Sequence, residues 1–123
     1  MTHLDTSFLV RALIPGTAAE AKLRKWVGEG EALVMSSVAW AEFLCGPLEV
    51  GDLGLAERFV ERRQDFTPDQ AVVAARLFNQ SGRCRGTFID CMIAAAALVD
   101  GATIATSNVA DFSRFAAAGL KVE

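Results

Sequence analysis

The chain has 123 residues, of which 52% are hydrophobic, and a formal net charge of −3. This length and apolar fraction suffice to bury a core, which excludes an intrinsically disordered chain. We expect residues 1–123 to form a single domain. The acidic balance argues against a generally basic surface for nucleic acid, because phosphate contacts usually draw on clustered Lys and Arg.

Cysteine and histidine content narrows the possible chemistry. Cys45, Cys84 and Cys91 are odd in number and form no CxxC pair, which argues against a disulfide framework or a zinc knuckle and favours a cytoplasmic location. His3 is the only histidine, which disfavours a His-based metal site or a Ser-His-Asp triad. No apolar run reaches the length of a membrane span, and the N-terminus lacks the pattern of a signal peptide. Any acid–base or metal chemistry must therefore rest on carboxylates.

The pattern of apolar residues, caps and breakers predicts alternating strands and helices. In chain order, we predict a strand at 2–4, helices at 6–14 and 17–28, a strand at 32–35, helices at 38–45, 53–63, 68–81 and 87–99, a strand at 102–105, a helical turn at 109–115 and a strand at 120–122. Short apolar strands separated by helices indicate a parallel sheet with helices on both faces, an α/β/α arrangement.

Acidic and amide side chains follow the predicted strands. Ligand sites in such sheets lie beyond the carboxyl ends of the strands. Asp5 follows the first strand, and Glu42 lies on the helix after the second. Asn108 and Asp111 follow the strand at 102–105, and Asp90 is in the first turn of the helix that leads into that strand. We therefore expect these side chains to share one edge of the sheet.

Most of these acids also have a purely structural interpretation. Asp5 could cap the helix that starts at Thr6, and the spacings Thr87-x-x-Asp90 and Asn108-x-x-Asp111 resemble capping boxes. Taken singly, capping and a functional role are about equally supported by the sequence.

Glu42 and Asp90 are harder to explain as caps. Each is the only charge within an apolar stretch, SSVAWAEFLCG and FIDCMIAAAA. Two like charges ~4 Å apart repel by roughly 4 kcal/mol at an effective dielectric of ~20. A hard divalent cation such as Mg²⁺ or Mn²⁺ would offset this repulsion, since it prefers carboxylate oxygens. A site made of acids alone suits phosphodiester hydrolysis.

Polar and basic residues near the acids have two interpretations. Four hydroxyl residues can hydrogen-bond a carboxylate or a phosphate, although residues at helix starts are more often caps: Thr6, Ser7, Thr106 and Ser107. Arg83 and Arg85 lie in the glycine-bounded stretch SGRCRGTF, where a solvated loop and a phosphate contact are both plausible.

Several other residues are predicted to have structural roles only. We expect His3 to be a strand residue without a role and Asp100 to be a solvated residue at a helix end. Trp26 and Trp40 are predicted to be core or subunit-contact residues. Lys22 is predicted on the solvent face of its helix.

Four segments together resemble the PIN-domain ribonucleases, and most closely the VapC-type toxins of bacterial toxin–antitoxin pairs. They are LDTSFLV, SSVAWAEFLCG, GRCRGTFIDCMIAAAA and IATSNVADF. The resemblance covers essentially the whole chain. It implies a three-layer α/β/α domain with a short central parallel sheet, Mg²⁺- or Mn²⁺-dependent endoribonuclease activity, a homodimer and a cognate antitoxin that blocks the site.

The resemblance also assigns the site. It implies that Asp5, Glu42, Asp90 and Asp111 are the catalytic acids, with Asp5, Asp90 and Asp111 as metal ligands. Asn108 holds a position that is Asp in some relatives, which implies looser metal binding on that side.

The remaining assignments are a hypothesis built on this resemblance. Thr6 and Ser7 would orient the acids, with Thr106 in support. Three arginines would contact RNA phosphates: Arg83, Arg85 and Arg114.

Two alternatives from other classes stay open. A metal-dependent phosphatase would carry Asp-x-Asp after the first strand, but the second of these positions is Ser7. A catalytically silent PIN-like binding module would not need its acids, yet all four are present.

Overall fold

The computed structural model describes residues 1–123, and its centre is a five-stranded sheet in which every pair of neighbouring strands is parallel. The strands are β1 (Thr2–Leu4), β2 (Leu33–Ser36), β3 (Arg62–Gln64), β4 (Thr103–Ala105) and β5 (Lys121–Val122). Their order across the sheet is β3-β2-β1-β4-β5. The strand order therefore reverses between β1 and β4, the place where ligand sites of such sheets form.

Seven α-helices connect the strands. They are α1 (Thr6–Ala12), α2 (Ala18–Gly28), α3 (Ser37–Cys45), α4 (Asp52–Phe59), α5 (Pro68–Gln80), α6 (Phe88–Val99) and α7 (Val109–Ser113), and a 3₁₀ turn follows at Ala116–Ala118. Because crossovers between parallel strands are right-handed, we infer from the strand order that the helices before β3 lie on one face of the sheet and α5 with α6 on the other. Helix α1 packs against α2 and α3, and α5 packs against α6. The predicted three-layer α/β/α fold is confirmed.

Hydroxyl caps fix the start of three helices, as their sequence predicts. Thr17 accepts the backbone N–H of Glu20 at the start of α2, and Ser36 caps α3 in the same way. Thr67 forms a capping box with Gln70 at the start of α5, where proline fills the first helical position. Apart from residues 53–63, the predicted elements agree with the observed bounds to within two residues at either end.

The predicted helix at 53–63 is wrong in its second half. Helix α4 ends at Phe59, Val60 is extended and buried, and the chain then forms β3 beside β2. The arginines of β3 are exposed, so this segment lacks the alternation of apolar and polar residues that marks a strand. Its local pattern therefore favours a continued helix. Charged side chains are nevertheless well suited to an edge strand, because they discourage pairing with another chain.

Helix α6 connects the core to the edge where the acids lie. Its alanines at 94–97 are fully buried, and such small side chains let a helix approach its neighbours closely. Ile93 and Cys91 extend this buried surface. The first turn of α6, which contains Asp90, is thereby held at the carboxyl edge of the sheet. None of the helices combines the length and the apolar character needed to cross a bilayer.

Candidate metal and acid site

A polar cavity of about 280 Å³ opens at the carboxyl edge of the sheet. No hydrophobic residue lines it; its walls are Asp5, Thr6, Ser7, Glu42, Asp90 and Asn108. We call it the acid cavity. It lies at the reversal of strand order, since the backbone N–H of Asp5, directly after β1, donates to the carbonyl of Ala105 at the end of β4 (2.9 Å). The sequence predicted that four acids and Asn108 would share this edge; three of the acids and Asn108 line the cavity, and Asp111 does not.

Asp5 occupies the N-cap position of α1, but its side chain forms no capping hydrogen bond. Its Oδ2 instead accepts hydrogen bonds from Ser7 Oγ (2.6 Å) and Thr106 Oγ1 (2.8 Å). Its Oδ1 has no donor in the protein and is not among the buried unpartnered atoms. One carboxylate oxygen is therefore fixed by hydroxyls, while the other remains open to the cavity.

The two hydroxyls that bind Asp5 are themselves fixed by the backbone. The N–H of Ser107 donates to Ser7 Oγ (3.0 Å), and the N–H of Asn108 donates to Thr106 Oγ1 (2.9 Å). Each hydroxyl accepts one of these bonds and gives its only proton to Asp5. The orientation of the Asp5 carboxylate is thus set from both β1 and β4, before any ligand binds.

Glu42 extends from α3 into the same cavity and is half-buried. Thr6 Oγ1 lies 2.7 Å from the carbonyl oxygen of Ala39 and 3.3 Å from Glu42 Oε1. Because a hydroxyl has only one proton, Thr6 donates it to the nearer acceptor, the carbonyl oxygen of Ala39. Burial, and secondly the nearby Asp5 carboxylate, raise the pKa of Glu42 above its ordinary value.

Asp90 lies in the first turn of α6, but no capping box forms there. The hydroxyl of Thr87 donates to the carbonyl of Cys84 (2.8 Å) instead. The Asp90 carboxylate accepts no hydrogen bond from the protein. It is therefore a charged group in a partly buried position without a compensating donor, an arrangement that costs free energy unless a cation is bound.

The pKa of Asp90 is raised to about 6 from an ordinary value of 3.8. Burial is the main cause, and repulsion from Asp5, Asp111 and Glu42 adds to it. Arg114 opposes the shift weakly. The acids that share this edge of the sheet therefore repel one another in the way that their sequence positions predict.

Asn108 and Asp111 were both expected at this edge of the sheet, but only Asn108 lines the cavity. Asn108 lines the acid cavity, whereas Asp111 lies on α7, where its carboxylate is half exposed and pairs with Arg114 at 3.4 Å. The side chain of Asn108 forms no cap on α7. Asp111 is close enough to influence Asp90 electrostatically, but it does not line the cavity.

None of the three predicted RNA-binding arginines lines the acid cavity. Arg83 and Arg85 lie in the exposed turn between α5 and α6. The guanidinium of Arg83 lies over the ring of Phe78 at 5.4 Å and donates to Asn79, so it is tethered to α5. Arg85 is exposed and takes part in no ion pair or hydrogen bond of the structure.

The chemistry of the acid cavity fits a hard divalent cation. Its possible ligands are all oxygens, no basic side chain lines it, and neither Asp90 nor Oδ1 of Asp5 has a donor. No group of three or more His, Cys, Asp or Glu side chains is already arranged to hold a metal ion.

His3 has a partner that the sequence did not predict. It is fully buried in β1, and its Nε2 lies 2.7 Å from Oδ2 of Asp100. Its Nδ1 is buried without a partner, and burial lowers the pKa of the imidazole despite the nearby carboxylate. The neutral ring therefore donates from Nε2 to Asp100. His3 is a strand residue and Asp100 an exposed residue at the end of α6, as predicted, but the hydrogen bond between them was not predicted. The one signal for it was that Asp100 ends the helix before β4, the neighbour of β1.

Comparison with known proteins identifies the family. A sequence model of the PIN domain matches residues 3–118. Among similar solved structures, VapBC2 of Rickettsia felis bound to a DNA fragment from its promoter has a TM-score of 0.79 and 22% identity, over 99% of this chain and 96% of that chain. FitAcB of Neisseria gonorrhoeae has a TM-score of 0.75 and 22% identity, over 99% of this chain and 96% of that chain. Mycobacterium tuberculosis VapC20, a sarcin–ricin loop cleaving toxin, has a TM-score of 0.67 and 17% identity, over 98% of this chain and 96% of that chain. A search of curated proteins finds no match. At these identities the structural likeness concerns the fold.

Proposed function

Because this chain belongs to the PIN domain family, we propose that it is a metal-dependent endoribonuclease and the VapC-type toxin of a toxin–antitoxin pair. The observation that carries this proposal is the acid cavity. Asp5, Glu42 and Asp90 line it together, and no basic residue among its walls neutralises them. A fold that retains such mutual repulsion needs a compensating cation, and a phosphodiester is the substrate that carboxylates with a divalent ion are suited to hydrolyse.

The residues of the cavity would have two roles, cation binding and orientation of the ligands. Asp5 and Asp90 would hold the cation, with the Asn108 amide oxygen beside them. Ser7 and Thr106 keep the Asp5 carboxylate oriented by their hydrogen bonds. A bound Mg²⁺ or Mn²⁺ would polarise a phosphoryl oxygen and lower the pKa of a water molecule.

Glu42 is proposed as the proton acceptor. Its pKa is raised by burial and by Asp5, which brings it closer to the working pH, as a general base requires. Thr6 is positioned by its bond to the backbone rather than by Glu42. The Glu42 carboxylate is therefore left free to accept a proton from the attacking water.

Asp111 and the arginines would act at the border of the cavity. Asp111 is proposed as a fourth acid that joins the site when it releases Arg114, to which it is now paired. Arg114, once released, would contact a phosphate of the RNA. Arg83 and Arg85 would contact phosphates from the turn before α6, where both are exposed.

The partners of the protein are proposed by analogy. VapBC2 and FitAcB are structures of toxin–antitoxin type with the same fold. We infer a cognate antitoxin that covers the acid cavity and a homodimer, with RNA as the substrate.

The test of this function is RNA cleavage by the purified protein. We expect single-stranded or looped RNA to be cut with Mg²⁺ or Mn²⁺, and the reaction to stop when EDTA is added. Addition of the cognate antitoxin should also stop it. Cleavage that continues unchanged in EDTA would contradict the proposed function, because no other group in the cavity replaces the cation.

A further inference from the structure

A second cavity, of about 170 Å³, lies next to the acid cavity, and two of its nine lining residues are basic. Arg11 extends into it from α1 and Lys22 from α2, and Ser107 contributes a hydroxyl group. Thr17 also lines it, but its hydroxyl already donates to the backbone carbonyls of Arg11 and Ile14. We call the part formed by these four residues the basic cleft. The sequence predicted Lys22 only as a residue on a solvent face.

The two cations of the basic cleft have no partner within the protein. Neither Arg11 nor Lys22 takes part in an ion pair, whereas Arg24 and Lys25 on the same helix pair with glutamates. Glu123 also lines the cavity, but it forms no ion pair with either cation. The cleft therefore offers two unpaired positive charges on a protein whose net charge is −3.

The basic cleft and the acid cavity share a wall. Ser107 lines the cleft, and its N–H donates to Ser7 Oγ at 3.0 Å, which in turn donates to Asp5 at 2.6 Å. Thr106 also lines the cleft and donates to Asp5 at 2.8 Å. An RNA strand with one phosphodiester over Asp5 would therefore pass only the Ser7–Ser107 pair before it reached Arg11 and Lys22.

We propose that the basic cleft binds a backbone phosphate of the RNA strand that flanks the bond to be cut. This inference rests on the proposed function. Arg and Lys are the usual phosphate ligands, and hydroxyls of Ser and Thr supplement them. Such contacts position the strand and carry no sequence information. The site explains how an acidic protein holds RNA beside a cluster of carboxylates.

The first test is RNA binding by the Arg11→Gln/Lys22→Gln protein. A labelled, uncleavable single-stranded RNA is titrated over a series of salt concentrations. Each phosphate contact contributes roughly 0.7 to the slope of log K against log salt for a single strand, so loss of the one phosphate held by the cleft should lower the slope by about 0.7. The matched control is Lys25→Gln/Arg76→Gln, which removes the same charge from exposed positions outside both cavities and should leave the slope near that of the parent.

The second test is the dependence of cleavage on RNA length. The parent should cut a long strand more efficiently than a dinucleotide-sized one, which is too short to reach the cleft. The double variant should lose this preference while the control retains it. Melting curves of all three proteins show whether the fold is intact; should the double variant fail to fold, Lys22→Gln alone should show about half the change in slope.

The outcomes separate this inference from the proposed function. If the parent cuts RNA and the double variant matches the control in slope and length preference, the inference is wrong and the function stands. Loss of binding to the antitoxin with unchanged RNA binding would assign the cleft to the protein partner and overturn the inference. A parent that neither binds nor cuts RNA would overturn both.

Discussion

Replacing Asp90 with Asn should stabilise the metal-free protein at neutral pH, even though Asp90 lies in the first turn of a helix. The carboxylate accepts no hydrogen bond from the protein, so the substitution breaks none. It removes a charge that burial and three neighbouring acids disfavour. If Asp90 acted only on the helix terminus, the same change would destabilise the protein by roughly 0.3–1 kcal/mol through the lost interaction with the helix dipole.

The magnitude follows from the raised pKa. A rise from 3.8 to about 6 corresponds to roughly 3 kcal/mol at ~1.36 kcal/mol per unit. Because the side chain is only half-buried, solvent screening reduces this to about 1–2 kcal/mol. Loss of the favourable interaction with the helix dipole removes roughly 0.3–1 kcal/mol. The net gain should be about 1 kcal/mol, or a melting temperature about 4 °C higher.

The gain should depend on pH with a definite sign. Below about pH 4, Asp90 is protonated in the folded and the unfolded chain, so the parent carries no penalty. Between pH 4 and 6 the unfolded chain loses its proton first, and the stability of the parent falls as pH rises. The advantage of Asp90→Asn should therefore be absent at low pH, grow through this window and remain constant above it.

The assay is a set of melting curves over pH, with and without Mn²⁺, for the parent, Asp90→Asn and the control Asp65→Asn. Asp65 is exposed and forms no hydrogen bond or ion pair. At a concentration of ~100 Kd, Mn²⁺ should stabilise the parent by about 2.7 kcal/mol and Asp90→Asn much less. An Asp90→Asn protein that melts lower than the parent at every pH and keeps the full metal response would refute the reasoning.

Three further predictions concern other parts of the molecule. Thr106→Val should destabilise the protein by about 1–3 kcal/mol in chemical denaturation, because it removes a buried hydroxyl that donates to Asp5; Thr106→Ser should recover most of this loss, and a Val variant as stable as the parent would contradict the network. Removing both Arg83 and Arg85 should lower the salt dependence of RNA binding, since fewer phosphate contacts release fewer counterions; an unchanged slope would make them solvated loop residues. Ala95→Leu should cost about 1–3 kcal/mol by overpacking, measured as a lower midpoint in urea, because Ala95 is fully buried.

The sequence predicted the meeting of the acids because one topological rule governs it. Once the strands are taken as parallel, residues after their carboxyl ends must share an edge, which places Asp5 and Glu42 together. Asp90 joins them because the buried alanines of α6 leave this helix little freedom in position. These features depend on apolar periodicity, which the local sequence contains.

Other features depend on contacts that no local pattern contains. Asn108 precedes α7 and Asp111 lies within it, so which of them lines the cavity is set by how this five-residue helix packs on the sheet. The local sequence of β3 favours a continued helix. The segment forms a strand because it pairs with β2, a contact that the local pattern does not contain. Arg11 and Lys22 lie on separate helices, so their convergence becomes visible only when α1 packs against α2.

The most direct test of the central claim is the initial rate of RNA cleavage in Mn²⁺ by the parent, Asp5→Asn and the control Asp65→Asn. Asp5 is the acid whose position is most firmly fixed, by two hydroxyls and the backbone of two strands. We predict that Asp5→Asn remains folded but loses nearly all cleavage, while Asp65→Asn cuts at the rate of the parent. A folded Asp5→Asn protein that cuts RNA as fast as the parent would contradict the account.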